Sequence, residues 1–209
     1  SKGRVKSMDL PSSLLKLHPH QKYVTPAPDV YYFSPNRGDK MLGQAYNKHC
    51  SLVPNDDDWI CLTDHDAMFL HPYSAKLIED AIKEHGAEYD LFSCYTNRLG
   101  LKHQLPHGFD DGWPMQDNLD IAKERYNMYY SEVENSTKAT AGLFMLFQKK
   151  TWKANKFQPG IISKDNQFID WRFSSGILKK GGKIGILKGL YIYHLYRLGK
   201  KVTNIDHLR

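Results

Sequence analysis

Cysteine is scarce in this chain of 209 residues: Cys50, Cys61 and Cys94 make an odd number, and no two stand in a Cys-x-x-Cys pair. That usage argues against a disulfide framework and a structural zinc site, and it fits buried thiols in a reducing compartment. Long apolar runs are missing too. None approaches the roughly 20 residues needed to cross a bilayer, and no signal peptide is legible at the amino end. The chain opens at Ser1 without an initiator Met, so residues 1–7 read as a tag remnant or as the remains of a longer protein. Helix-turn-helix, RNP and zinc-finger signatures are absent, which leaves a nucleic-acid partner without a motif. Acidic residues are outnumbered: the net charge is +6 and the pI about 9.0, which points to an anionic partner such as a nucleotide, a nucleic acid or an anionic membrane surface. Length and composition suit one ordinary globular domain with a sizeable core.

The most informative stretch is Asp58-Trp59-Ile60-Cys61-Leu62-Thr63-Asp64-His65-Asp66-Ala67-Met68-Phe69-Leu70. Trp59 to Leu62 is a short, continuous apolar run, the pattern of a strand buried on both faces. Asp64 and Asp66 follow at its carboxyl end, where open α/β sheets bind ligands. Two carboxylates one residue apart at a fraying strand end can converge on one hard divalent cation. Asp-x-Asp alone is a weak motif. Here it is expected to be pinned between Trp59–Leu62 and a second buried segment, Met68–Leu70.

Around this stretch the chain alternates strands and helices. Val30–Phe33 reads as the first strand, followed by a loop, Asn36-Arg37-Gly38-Asp39-Lys40, and a helix from Met41 to Cys50. Arg37 and Lys40 are suited to phosphate oxygens or are plain solvated cations. Leu77, Ile78, Ala81 and Ile82 stripe a helix over 72–85, with Gly86 at its stop. A strand over 89–95 leads to Arg98, which reads as a phosphate or acceptor contact or as a solvent-facing cation. Residues 99–116 lack periodicity and read as a functional lid or a disordered loop, with Trp113 as a sugar-stacking platform. A helix over 117–132, capped by Asp117, is followed by a buried strand over 140–147 and a short helix over 149–156. Gly142 either admits a close backbone approach to a bound sugar or marks a bulge. A helix opening near Lys164 carries Asp165 at its start, and two strands, 183–187 and 191–197, close the sheet. His194, alone in an aromatic strand, would ordinarily be structural.

The segment from Asn55 to Asp66 resembles the Asp-x-Asp region of glycosyltransferases with the GT-A fold, especially the large inverting family 2. Other segments are similar to that family in the same order along the chain. Gly43-Gln44-Ala45-Tyr46-Asn47 resembles its Gly-x-Ala-x-Asn-like helix, and Thr140–Phe147 resembles the Gly-Gly-Phe-Met-Leu-Phe-like strand of galactosyltransferase-type members. Lys164–Arg172 looks like its Glu-Asp-x-x-Phe…Arg element, with Lys164 in place of Glu. Tyr191–His194 looks like its closing Tyr-x-Tyr-His. The family's opening Pro-Thr/Ala-Tyr-Asn strand and following Asp-Asp strand have no counterpart, so either the fold is shortened or Val30–Phe33 replaces the first strand.

The resemblance implies an α/β, Rossmann-like GT-A domain over residues 30–209, with a mixed central sheet flanked by helices, behind a lead-in of residues 1–29. It implies Mn²⁺ or Mg²⁺ held by Asp64, Asp66 and His194, with His65 beside them. A nucleotide-diphosphate sugar, UDP-linked by preference, would lie near Asn36, Arg37, Lys40, Gly43, Asn47, Asp64 and Arg98. Trp113 and Gly142 would face the acceptor, and Asp165, or less favourably Asp170, would be the general base of an inverting transfer. The acceptor would be a glycan or lipid-linked glycan in surface polysaccharide synthesis. The enzyme would be cytoplasmic, with Lys179, Lys180, Lys183, Lys188, Arg197, Lys200, Lys201 and Arg209 either a solvated face or a peripheral contact with an anionic membrane. No nucleic acid is expected; a basic nucleic-acid-binding domain and a non-catalytic sugar-binding relative are the competing readings.

Overall fold

In the computed structural model, which describes residues 29–36, 41–160 and 168–196, the apolar run at the centre of the sequence pattern is an interior strand. The elements in order are β1 (Val30–Phe33), α1 (Leu42–Leu52), β2 (Trp59–Thr63), β3 (Ala67–Phe69), α2 (Ser74–His85), β4 (Leu91–Thr96), α3 (Met115–Tyr129), β5 (Val133–Ser136), β6 (Phe144–Gln148), α4 (Lys149–Ala154), α5 (Ile169–Lys179) and β7 (Ile184–His194). They form an α/β fold around a seven-stranded mixed sheet in the order β1-β2-β6-β4-β7-β3, with β5 also paired to β7. β1 is parallel to β2 and β4 to β7, whereas β6 runs antiparallel between β2 and β4. The carboxyl ends of β1, β2, β4 and β7 therefore share one edge of the sheet.

Alternation along β2 sends Trp59 and Cys61 to one face and Ile60 and Leu62 to the other. On the first face they meet Leu77, Ile78, Ala81 and Ile82 of α2, all buried. On the second they meet Tyr46 and Cys50 of α1, Trp152 of α4 and Phe173 of α5. All three cysteines are buried free thiols, and burial pushes the Cys50 thiol up to about 12.

Several expected elements differ. β3 is an edge strand with Met68 and Phe69 exposed, so the acids are not enclosed between two buried segments. β5 answers to no expected strand: its Glu134 and Asn135 are polar and exposed, as an edge position allows. Residues 99–116 are packed rather than a lid, with Leu99, Leu105 and Phe109 in the core. α3 begins at Met115 after Pro114, so Asp117 lies inside the first turn and is not the cap. α5 begins at Ile169, with Asp170 in its first turn. The two closing strands are one continuous β7, because Lys188-Gly189-Leu190 is absorbed as a bulge opposite Cys94 and Tyr95.

Candidate metal centre and cleft

β2 ends at Thr63, but the ladder reaches one residue further: the Asp64 N–H donates to the Leu143 carbonyl (3.1 Å). The chain then reverses, with the Ala67 N–H donating to the Asp64 carbonyl (3.2 Å), and β3 runs back along the end of β7. Ala67 stands opposite His194, and the Leu195 N–H donates to the Asp66 carbonyl (3.0 Å). The turn brings the two carboxylates round to the end of β7. His194 Nε2 lies 3.6 Å from Asp64 Oδ2 and 3.3 Å from Asp66 Oδ1. The three offer one ligand atom each within 4.8 Å of one another, a set that could hold a metal ion. Metal–ligand bonds of about 2.0–2.2 Å place neighbouring ligand atoms about 3.0–3.6 Å apart, so these spacings fit a shared cation.

The hydrogen bonding of His194 makes the fit chemical as well as geometric. Its Nδ1 lies 2.9 Å from the Arg98 carbonyl, which only accepts, so Nδ1 carries a proton. Nε2 then faces two carboxylates, an arrangement that a shared cation stabilises. The ring is buried, whereas each aspartate side chain keeps 32% of its surface exposed, which leaves room for further ligands on the cleft side. Burial raises the Asp64 carboxyl above the ordinary range; His194 opposes this, while the charges of Asp170 and Asp66 add to it. The buried Tyr46 hydroxyl donates to Asp64 Oδ1 (3.4 Å).

Asp64 and His194 also line a cleft of about 410 Å³, together with Gly142 and Asp170. Its walls are apolar and aromatic: Leu99, Leu101, Leu143, Phe168, Trp171 and Tyr196. Asp170 is held from the backbone, Oδ2 accepting from the Gly142 N–H (2.7 Å) and Oδ1 from the Trp171 N–H (2.8 Å). Burial raises its carboxyl, against the pull of those backbone bonds. Glycine is required opposite it: a Cβ at position 142 would stand 2.7 Å from the Asp170 Cβ.

Asp64, Asp66, His194, Gly142 and Asp170 are thus brought together. Asn36 is exposed beyond β1, and Arg37, Lys40 and Asp165 lie outside the described residues. Gly43 packs on the chain around Gln158, whose carbonyl a Cβ there would meet at 1.6 Å. Asn47 is engaged within the protein, its Oδ1 accepting from Trp152 Nε1 (2.8 Å) and the Phe157 N–H (3.1 Å) and its Nδ2 donating to the Phe157 carbonyl (2.8 Å). Arg98 is buried, with Nε donating to the Tyr196 carbonyl (2.9 Å) and its guanidinium 4.7 Å from the Phe109 ring centre. Trp113 is half-buried and not among the cleft residues, where Trp171 supplies the indole instead. His65 faces solvent on the turn. Among the carboxy-terminal cations, Lys183 pairs with Glu88 (3.4 Å) and Lys188 with Glu132.

Tyr46, Trp171 and Tyr196 were not singled out from sequence, and Phe168 entered only as the Phe of the Glu-Asp-x-x-Phe…Arg resemblance. Tyr46 stood inside the Gly43–Asn47 motif, and Trp171 adjoins Asp170, so position relative to a suspected site was the available signal. No protein-family model matches the chain, and no curated protein matches it. Among the described residues no helix is long and apolar enough to cross a membrane.

Proposed function

We propose that the protein is a metal-dependent glycosyltransferase of the GT-A type, moving a sugar from a nucleotide-diphosphate donor to an acceptor hydroxyl. The observation that carries the reading is the coincidence of two sites: Asp64 and His194 of the Asp64–Asp66–His194 cluster line the same cleft as the Asp170 carboxylate. A divalent ion, Mn²⁺ or Mg²⁺, would be held by Asp64, Asp66 and His194 and supply Lewis-acid stabilisation to the leaving diphosphate. The mixed oxygen and nitrogen ligands favour Mn²⁺. Tyr46 steadies Asp64 from the α1 side, and the Arg98 carbonyl fixes the imidazole tautomer.

Asp170 takes the acceptor proton. Its raised carboxyl brings its basicity closer to that of a group working near neutrality, and Gly142 holds the oxygen in place. Asp170 replaces Asp165 as the favoured base because it lines the same cleft as Asp64 and His194. Inversion at the anomeric carbon follows from a base placed opposite the departing diphosphate, and it rests on the family resemblance. The apolar wall suits an acceptor sugar that lays one face on Trp171, or one carried on a lipid. UDP-linked donors are the first choice, again from the resemblance.

Calorimetric titration with UDP-, GDP-, CMP- and dTDP-sugars, in Mn²⁺ and then in chelator, tests the reading. Metal-dependent binding of one class is the expected result. A folded protein that binds none of them, yet binds DNA or RNA with steep salt dependence, would overturn it.

A further inference from the structure

Asp110 belongs to no part of the cleft, yet it is one of the most heavily bonded carboxylates in the protein. It is 2% exposed. Oδ1 accepts from the backbone N–H groups of Gly112 (2.7 Å) and Trp113 (2.5 Å), and Oδ2 accepts from Asn97 Nδ2 (3.0 Å) and Asn118 Nδ2 (3.2 Å). Burial alone would raise its carboxyl, but these donors together hold it below the ordinary value, so it is ionised and purely an acceptor.

That acceptor character dictates the next link. An amide whose Nδ2 must face a carboxylate presents Oδ1 on its other side. Asn97 Oδ1 accepts from the His194 backbone N–H (2.7 Å) and the Thr96 hydroxyl (3.2 Å). The neighbouring Arg98 carbonyl accepts the His194 ring proton (2.9 Å). The main chain of Asp110 clamps both residues: its N–H donates to the Asn97 carbonyl (2.9 Å), and its carbonyl accepts from Arg98 Nη1. Both N–H groups of His194 therefore end on two consecutive residues that Asp110 holds.

We infer that Asp110 is a positioning residue for the metal centre: through Asn97 and Arg98 it sets the backbone and ring of His194, so that Nε2 faces Asp64 and Asp66. This rests on the metal-centre reading above. In an Asp110→Asn variant the new amide N–H₂ meets the donors of Asn97 and Asn118. The Asn97 amide then turns, and the His194 N–H loses its acceptor. Outer partners of metal-bound histidines are worth about 10- to 100-fold in metal affinity. Asp110→Asn is expected to weaken Mn²⁺ binding by that factor in calorimetry. The exchanged pair Asn97→Asp with Asp110→Asn, which restores donor against acceptor, should recover most of it.

A second readout needs no metal. Amide hydrogen exchange of the metal-free protein should show the His194 backbone N–H, which donates to Asn97 Oδ1, protected in the wild type and exchanging faster relative to its β7 neighbours in Asp110→Asn. Asn97→Ala carries the same two readouts should Asp110→Asn fail to fold. Wild-type Mn²⁺ affinity in the variants, with only a lower Tm, would reduce Asp110 to a structural residue and overturn the inference. Unchanged protection of the His194 backbone N–H in both variants would overturn it as well. Absence of Mn²⁺ binding to the wild type would instead sink the metal centre, and amide exchange at His194 would still decide the role of Asp110.

Discussion

Replacing Gly142 by alanine tests the proposed base separately from the proposed metal site. The added Cβ would lie 2.7 Å from the Asp170 Cβ, 3.3 Å from its Cγ and 3.1 Å from Oδ2. Carbon atoms in ordinary contact stand about 3.5–4.0 Å apart, so the Asp170 side chain must retreat by about 1 Å. Retreat stretches the bond from the Gly142 N–H to Oδ2, now 2.7 Å, and leaves a buried donor poorly satisfied. Overpacking of this kind typically costs about 1–3 kcal/mol of stability. A misplacement of about 1 Å at a reacting group costs on the order of 10² in rate. The expected outcome for Gly142→Ala is therefore a folded protein with a lower Tm and kcat down by about 10². Its Mn²⁺ affinity should be unchanged, because position 142 contributes no ligand. Steady-state transfer with the donor identified by calorimetry measures the first, and Mn²⁺ titration the second. A kcat within about threefold of wild type, far from the 10² expected of a displaced base, would refute the assignment of Asp170.

Metal removal should be visible without any substrate. An ion present at 100 times its Kd stabilises the fold by about 2.7 kcal/mol, which for a domain of this size is about 5–11 °C in Tm; chelator should reverse the shift, and Asp66→Asn should lose both the shift and transfer. An equal Mn²⁺-induced shift in Asp66→Asn would remove that residue from the ligand set. Acidification should weaken Mn²⁺ binding earlier than ordinary aspartates would. The raised Asp64 carboxyl keeps its proton above the usual value of about 3.9, so the ion must displace it as the pH falls from neutrality toward that value. The same shift means that the metal-free fold loses stability as pH rises through the raised value, since ionising Asp64 is harder in the folded state. Titrations in two buffers of different ionisation enthalpy should detect proton release on binding; affinity independent of pH in that window would contradict the shift.

How much could be read from the sequence depended on how local the cause was. Trp59 to Leu62 announces an interior strand because four consecutive apolar residues alternate onto two covered faces. Leu77, Ile78, Ala81 and Ile82 announce α2 because a single helix needs a single stripe. Asp64 and Asp66 lie on one turn, so their convergence was legible, and the placing of His194 beside them came from a family resemblance. β5 was not legible, since Glu134 and Asn135 carry no apolar alternation and the strand exists only because β7 offers an edge. The cleft walls are less local still. Leu99, Leu143, Trp171 and Tyr196 come from four segments that only the sheet brings together. Asp110 is in sequence merely one acid in an aperiodic loop: two of its donors, Gly112 and Trp113, are local, but Asn97, which ties it to His194, and Asn118 are placed by the fold.

The irregular stretch of β7 is what aims His194. Between Cys94 opposite Leu187 and Tyr95 opposite Tyr191, β4 advances by one residue while β7 takes in Lys188, Gly189 and Leu190 as well. In a regular strand Leu187 and Ile192, an odd number apart, would point to opposite faces. Here both pack in the same core cluster, so the bulge reverses the alternation for everything beyond it. The surplus residues are anchored, since the Lys188 N–H donates to the Glu132 carbonyl (3.0 Å). Gly189 has no room for a side chain, because a Cβ there would meet the Tyr129 carbonyl at 2.8 Å. Past the bulge, pairing of Ala67 with His194 and of Phe69 with Ile192 fixes the register against β3. A slip of one residue would present Tyr193 or Leu195 to Asp64 and Asp66 and turn the imidazole to the other face. The Lys188-Gly189 break, which in sequence reads as the gap between two strands, is thus the feature that brings an imidazole nitrogen to two carboxylates on a distant turn.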